Sequence, residues 1–347
     1  MSNPASPALG SSAVSQAPSR PRPRLAHPRR MMAEFIALVL VLVVLGAAGF
    51  SNLLAPTTAG GWAKDPDHPV IGGDLGTCFD LSVMHDGQTY RAWFSWRPKQ
   101  SIAYTESTDG VNWSSSVIAL GPTGSGWEDE VNRPSVVRTA AGFAMWYTWQ
   151  TSTASAIGYA TSPDGLHWTR SGTLPVLTAS AAWEKQAVMS PDVRYEQGRY
   201  RMWYSGGEQY EPDAIGYATS PDGVHWTKDQ LNPIFAGSGT GHWDGAKVTA
   251  PDVEPYGAGW AMFYIGFSDV DHAQIGIAYS PDGIHDWRRL PANPIIRPGN
   301  VFAWDSDAVY KPAVIHEPGR WILWYNGRRG STEQIGRAAH EGDGLGL

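Results

Sequence analysis

The sequence predicts an all-β fold, a five-bladed β-propeller with an N-terminal strand closing the last blade and one transmembrane helix ahead of it. Three observations predict the propeller. The stretch "AIGYATSPDGLHWTR" from Ala156 returns as "SIAYTESTDGVNWSS" from Ser101, "AIGYATSPDGVHWTK" from Ala214 and "QIGIAYSPDGIHDWR" from Gln274, with a shortened "QIGRAAH" from Gln334. Ile102, Ile157, Ile215, Ile275 and Ile335 mark these copies at spacings of 55, 58, 60 and 60, room for one small sheet per copy. The composition agrees, since 39 Gly, 26 Pro and 17 Trp among 347 residues favour a turn-rich, aromatic-packed β body large enough to bury a core.

In chain order, residues 1–32 are rich in Ser, Pro, Ala and Arg, show no apolar period, and read as a disordered cytoplasmic tail. Residues 33–55 read as a transmembrane signal anchor. Phe35 to Phe50 carries no charge, and Arg20, Arg22, Arg24, Arg29 and Arg30 precede it with Glu34 as the sole acid, the bias that keeps a tail inside. The apolar run is slightly short for a span of about 20 residues, and "AAG" also fits a signal-peptidase site. Both readings put the body outside the cytoplasm, in the periplasm or at the cell surface. Beyond residue 50 the chain holds 21 basic and 32 acidic residues, a formal −11, which argues against a nucleic-acid partner. Cys78 is the only cysteine, so no intrachain disulfide forms.

Residues 56–61 read as a linker, 62–340 as the propeller and 341–347 as a tail. In each unit an inner strand such as "SPDVRY" (Ser190 to Tyr195) precedes an aromatic strand such as "YRMWYSG" (Tyr200 to Gly206). The Ile-Gly-Tyr-Ala strand follows, and the "SPDG" turn leads to the outer strand. Asp164, Asp222 and Asp282 belong to turn chemistry, and the recurring Trp113, Trp168, Trp226 and Trp287 to packing. The last copy lacks its outer strand. "WAKDPDHPVI" (Trp62 to Ile71) keeps the seven-residue Trp-to-Pro spacing of Trp168 and Pro175, Trp226 and Pro233, and Trp287 and Pro294. It is expected to supply that strand and remove an open sheet edge.

The repeats also separate scaffold from site: a residue present in every blade serves the blade, and a singular one is a candidate for function. Aligned on Trp93, Trp146, Trp203, Phe263 and Trp324, one inner-strand slot holds Asp80, Arg133, Ser190, Ala250 and Lys311, expected to ring the axial mouth. Two residues on stand Ser82, Ser135, Asp192, Asp252 and Ala313, on the same face if strand alternation holds. Asp80 is the lone acid of the first set. Arg133, beside Asn132, and Lys311 are its lone cations, able to hold a carboxylate, sulfate or phosphate, or to pair with Asp80. Glu128, Glu184, Asp244 and Asp305 recur after Trp127, Trp183, Trp243 and Trp304 and read first as scaffold. The loops between second and third strands do not repeat. They bring Trp96, Arg97 and Lys99; Trp149 and Gln150; Glu208, Tyr210 and Glu211; Asp269, Asp271 and His272; and Arg328 and Arg329. Polar groups interleaved with aromatic rings suit a carbohydrate. Asp269, Asp271 and His272 lack a defined ligand spacing, and neither a metal nor a cofactor is assigned.

Over Trp62 to His340 the blade pattern "W(D/E)…P(D/S)V…MWYSG…IGYATSPDGxHW" resembles the five-bladed propellers of the furanosidase superfamily, glycoside hydrolase families 43, 62, 32 and 68 and the related family 130 phosphorylases. The resemblance implies that Asp80, in "FDLSVMHDG", is the base or nucleophile and that an acid stands on a later blade. Acids are absent from the slots of Arg133, Ser190 and Ala250, where those families lead one to expect them. Asp192, Glu208 and Glu184 are then the candidates for the proton donor that glycosidic cleavage needs. Arg133 and Lys311, with Asn132, Trp96, Arg97, Trp149, Tyr210 and Arg328, form the expected binding surface for a glycan, an anionic one or a phosphorolytic substrate included. The expected function is hydrolysis, or a related glycosyl transfer, on an extracytoplasmic poly- or oligosaccharide. The missing second axial acid favours the alternative, a non-catalytic glycan-binding or scaffold propeller in envelope polysaccharide assembly or export.

Overall fold

The computed structural model describes residues 56–66, 68–124, 128–269 and 271–347. The expected tail and anchor (1–55) and Trp127 lie outside these residues. Among the described residues no helix is long and apolar enough to cross a membrane. The body is all-β. Blade 1 is Cys78–His85, Tyr90–Trp96, Ser101–Ser107 and Val117–Leu120; blade 2 is Glu130–Thr139, Gly142–Gln150, Ser155–Ser162 and Thr169–Arg170. Blade 3 is Ala187–Glu196, Arg199–Glu208, Glu211–Ser220 and Thr227–Lys228, and blade 4 is Lys247–Tyr256, Gly259–Phe267, Ala273–Ser280 and Arg288–Arg289. Blade 5 is Ala308–Glu317, Arg320–Arg329 and Thr332–Glu341, with Trp62–Lys64 as its outer strand. Strands within a blade pair antiparallel, and one parallel pairing, Ala187 with Ser155, also joins blade 3 to blade 2.

The closing strand takes over the contacts of its counterparts. Trp62, Ala63 and Lys64 pair with His340, Ala339 and Ala338. Val70 N–H donates to Ile335 O, as Val176 does to Ile157 O, Ile234 to Ile215 O and Ile295 to Ile275 O. Lys64 Nζ sits 2.5 Å from Asp305, the place that Arg170 takes on Glu128, Lys228 on Glu184 and Arg289 on Asp244, each at 2.6 Å. Each of these buried acids also accepts a second-strand hydroxyl, from Tyr325, Tyr147, Tyr204 and Tyr264 respectively. The body extends further than expected at both ends. Thr58 bridges Ile296, and Arg297 N–H donates to Thr57 O, so part of the 56–61 segment read as a linker is edge structure. Residues 341–347 are not a free tail: Leu345 is buried in the core between blades 4 and 5, and Asp343 O accepts Trp321 Nε1.

The recurring stretch works as a latch between blades. Trp93, Trp146, Trp203 and Trp324 are fully buried, and their indole N–H groups donate to Gly165, Gly223, Gly283 and Gly110 O in the turn of the next blade. At Gly165 and Gly223 the backbone is left-handed (φ 84° and 81°), and a Cβ would stand 2.9 and 2.7 Å from the indole. Only glycine meets both demands.

Glu184 lets the scaffold assignment be tested. Burial opposes its charge, but Lys228, the Ser180 and Ala181 N–H groups and the Tyr204 hydroxyl outweigh that and hold the carboxyl below its ordinary range. Such a group stabilises the fold above its unfolded pKa, and the contribution is lost as pH falls through the folded value. Glu184→Ala, which strands Lys228, is expected to cost about 3–5 kcal/mol in urea unfolding at neutral pH. Its stability should also fall less steeply than the wild type's on acidification. A loss below about 1 kcal/mol would remove Glu184 from the scaffold.

Candidate functional site

Asp80, Arg133, Ser190, Ala250 and Lys311 share a left-handed backbone, with φ of 52°, 50°, 49°, 50° and 37°. Each sits at a break in register between inner and second strand. The slot is therefore a β-bulge, one extra residue that re-aims its side chain. A polar residue of the preceding blade holds four of the five: Asn326 Oδ1, Ser95 Oγ, Thr148 Oγ1 and Ser205 Oγ accept the N–H groups of Asp80, Arg133, Ser190 and Ala250 at 2.8–2.9 Å. Ile265 stands in that position ahead of Lys311.

The bulge overturns the expected alternation. Asp80, Arg133, Ser190 and Ala250 line one axial cavity, of about 350 Å³. Ser82, Ser135, Asp192 and Asp252 instead form a belt around a second one, about 450 Å³, further along the inner strands. They accept the N–H groups of Val136, Val193, Val253 and Val314 from the next blade at 2.9–3.1 Å. Lys311 also lines this second cavity, its Nζ donating to Pro251 O at 3.3 Å. Asp192 and Lys311 are thus not brought to Asp80, although the sequence alignment put Lys311 in its ring and Asp192 on the same strand face. Burial raises the carboxyl pKa of Asp192, with Arg194 and Lys311 opposing.

In the first cavity Asp80 is held from both sides. Arg133 Nε lies 3.0 Å from Oδ2 and Asn326 Nδ2 donates to Oδ1 at 2.8 Å. Arg133 is itself fixed, Nη1 donating to Asn132 Oδ1 at 2.8 Å and Gln150 Oε1 at 2.9 Å. Sequence reasoning missed the second carboxylate of this cavity, Glu333. It lies 3.8 Å from Arg97, whose guanidinium covers the Phe79 ring at 4.5 Å. Burial pushes the Glu333 carboxyl up from its ordinary value; Arg97 opposes, Asp80 adds to the rise, and Arg133 and Arg328 oppose more weakly. Its slot, two residues before the marker isoleucines, holds Gln100, Ser155, Asp213, Ala273 and Glu333. That slot does not repeat, so the test that singled out Asp80 would have found it.

Of the other expected residues, Arg97, Arg328 and Tyr210 line this cavity. Tyr210 reaches across to donate its hydroxyl to Thr151 O at 3.2 Å. Asn132 acts behind Arg133. Trp149 is buried in the core between blades 1 and 2, and Trp96 is half-buried with its indole N–H on Leu75 O. Glu208 is exposed and pairs with Lys185 at 3.2 Å. Glu184, at the base of blade 3, is committed to Lys228. Asp269 and His272 pair with each other on the exposed rim at 2.8 Å.

The model of the glycosyl hydrolase family 32 N-terminal domain matches residues 81–231. Among solved structures, a BT0996 RGII complex superposes with a TM-score of 0.67 at 17% identity over 80% of this protein and 92% of the other. A thermostable family-43 glycoside hydrolase gives 0.63 at 17% identity over 79% and 91%. The fold is that of the five-bladed glycosidase propellers. A further such propeller comes from the GH130 family of mannoside phosphorylases, which contains glycoside hydrolases that target β-1,2 mannosidic linkages in Candida mannan. It gives 0.63 at 19% identity over 84% of this protein and 99% of the other. Two uncharacterized proteins of Mycobacterium tuberculosis (strains CDC 1551 / Oshkosh and ATCC 25618 / H37Rv) are 29% identical over 205 residues, 56% of this protein and 65% of theirs. The family 32 match begins one residue after Asp80 and ends before Glu333, so that family model matches residues other than the two cavity carboxylates.

Proposed function

We propose that this propeller acts on a glycan in the Asp80 cavity, by hydrolysis or a related glycosyl transfer. The observation that carries the reading is the presence of two carboxyl groups in different settings within one cavity. Asp80 is ion-paired with Arg133 and accepts the Asn326 amide, whereas Glu333 is buried and its carboxyl pKa is raised. Glycosidic cleavage needs that asymmetry. Glu333 donates its proton to the leaving oxygen, and Arg97 stands beside it to stabilise the carboxylate that remains. Asp80 either removes a proton from the attacking water or bonds to the anomeric carbon, and the separation of the two groups around a bound sugar selects between these outcomes. The glycans named for the neighbouring folds support a carbohydrate as the class of ligand.

A second reading is favoured by one observation. Both oxygens of Asp80 are already engaged, which suits a cavity that binds a glycan without cleaving it, in envelope polysaccharide assembly or export. Incubating the full-length protein with a panel of neutral and acidic oligosaccharides separates the two: turnover supports the enzyme, and saturable binding without turnover supports the binding protein. No binding to any member would sink both. The charge pattern of residues 1–55 supports an anchored, extracytoplasmic body, which a reporter fused after Leu347 and active only outside the cytoplasm would check.

A further inference from the structure

The link from the outer edge of blade 4 to the inner strand of blade 5 carries two neighbouring exposed apolar side chains, Val301 at 63% and Phe302 at 74%. The backbone under them is pinned. Gly299 N–H donates to Asp305 O at 3.2 Å and Ala303 N–H to Asn300 O at 2.8 Å, while Phe302 N–H donates to Asn300 Oδ1 at 3.0 Å. Beside it, Trp304 stacks on Tyr325 at 5.7 Å. The loop ahead of blade 4 makes the same turn, with Ser238 N–H on Asp244 O and His242 N–H on Gly239 O. There the residue two before the tryptophan is Gly241, and ahead of blades 2 and 3 it is Ser125 and Ala181. The turn therefore forms without an aromatic residue. By the rule that isolated Asp80, a ring found in one blade only is a candidate for function.

The loop is continuous with the rim of the Asp80 cavity. Arg328, which lines that cavity, gives its carbonyl to Asp307 N–H at 3.0 Å, and the next residue, Arg329, donates from Nη1 to Phe302 O at 3.0 Å. Gly330 N–H adds a bond to Asp307 Oδ2 at 2.7 Å. Consecutive residues of one strand end thus serve the cavity wall and hold the aromatic loop. Asn300, Asp307 and Arg329 give this surface hydrogen-bonding groups around an apolar centre. Such a mixture suits a sugar, whose C–H face stacks on a ring while its hydroxyls meet polar neighbours. A bilayer contact calls for a broader apolar face bordered by cations. We propose that Phe302, with Val301 beside it, is a stacking platform for a sugar ring outside the Asp80 cavity, so that this propeller takes an oligosaccharide running from the cavity across the rim of blade 5. The proposal rests on the glycan reading of the cavity.

The test titrates the full-length protein by calorimetry with xylose, mannose and galacturonic acid series, each from monomer to pentamer. Within at least one series, affinity is expected to step up about three- to tenfold beyond the shortest members. Phe302→Ala should remove that step and leave the monomer's affinity and the melting temperature unchanged, because the side chain is exposed. Phe302→Trp should keep the step, and Phe302→Leu, apolar but without a ring, should lose most of it. Where a member is cleaved, kcat/KM takes the place of affinity, since binding away from the reacting bond raises it in the same way. A step that survives Phe302→Ala overturns the proposal, as does a loss that is equal at every length, monomer included. A variant that binds every glycan as the wild type does but is held less firmly on phosphatidylglycerol vesicles overturns it too, since the ring would then serve the bilayer. Affinity that does not depend on length sinks this proposal and leaves the glycan reading standing. No binding to any carbohydrate sinks both.

Discussion

Removing residues 62–71 is expected to open the ring and leave the protein oligomeric or unfolded. Trp62 is 4% exposed and packs edge-on against Phe263 at 5.8 Å; truncating a tryptophan so placed costs about 3–5 kcal/mol. Lys64 is the only cation on the buried Asp305 among the described ion pairs, and an abandoned buried carboxylate costs about the same again. The two terms need not add, but either is large beside the roughly 5–15 kcal/mol that holds a domain folded. The deletion also exposes Thr332–Glu341 as a free edge, a template for pairing with another copy. Size-exclusion chromatography and thermal melting of the deleted protein check this. A monomer that melts with the wild type would show that closure does not depend on this strand. Trp62→Ala and Lys64→Met should each reproduce part of the loss.

The closing strand was legible in the sequence because Trp62 and Pro69 repeat a spacing set by the blade itself. The acids Glu128, Glu184, Asp244 and Asp305 were legible as scaffold for the same reason: each takes a tyrosine hydroxyl from its own blade and a cation from an outer strand. Asp80 stood out because no other blade carries an acid in its slot. The bulge was not legible. Its left-handed turn is held by acceptors such as Ser95 and Asn326 on a neighbouring blade, so the break in alternation comes from tertiary contact. Without it, Asp192 falls on the same face as Asp80; with it, Asp192 faces a different cavity. Lys311 shares the bulge, and its long side chain reaches Pro251 O in that second cavity. Glu333 was hidden for another reason. Its slot, unlike Asp80's, holds a second acid, Asp213, so the pattern points to it less sharply, and its burial beside Arg97 and Asp80 is a tertiary property. Residues 57–59 and Leu345 lack periodicity and are ordered by the edges they meet.

The largest effect on function is expected at the two cavity carboxyls, and the two should fail differently. In Asp80→Asn the group that attacks, or that activates water, is gone, and kcat/KM is expected to fall about 10³-fold or more for every substrate. Glu333 is needed only to protonate the leaving group. Glu333→Gln should therefore lose about 10²–10⁴-fold on a natural glycoside and far less on an aryl glycoside whose phenolate leaves unaided. The pH profiles carry the sign. A general acid works while protonated, so the wild-type rate should fall as pH rises through the raised Glu333 pKa, and Glu333→Gln should lose that basic limb. Asp80→Asn should keep the limb in whatever rate remains. If Glu333→Gln instead slows aryl and natural glycosides equally and leaves the pH profile unchanged, Glu333 serves to hold Arg97 and the proton comes from elsewhere. If neither variant alters a measurable rate, the Asp80–Arg133 pair is an axial closure of the ring, and the cavity binds its glycan without chemistry.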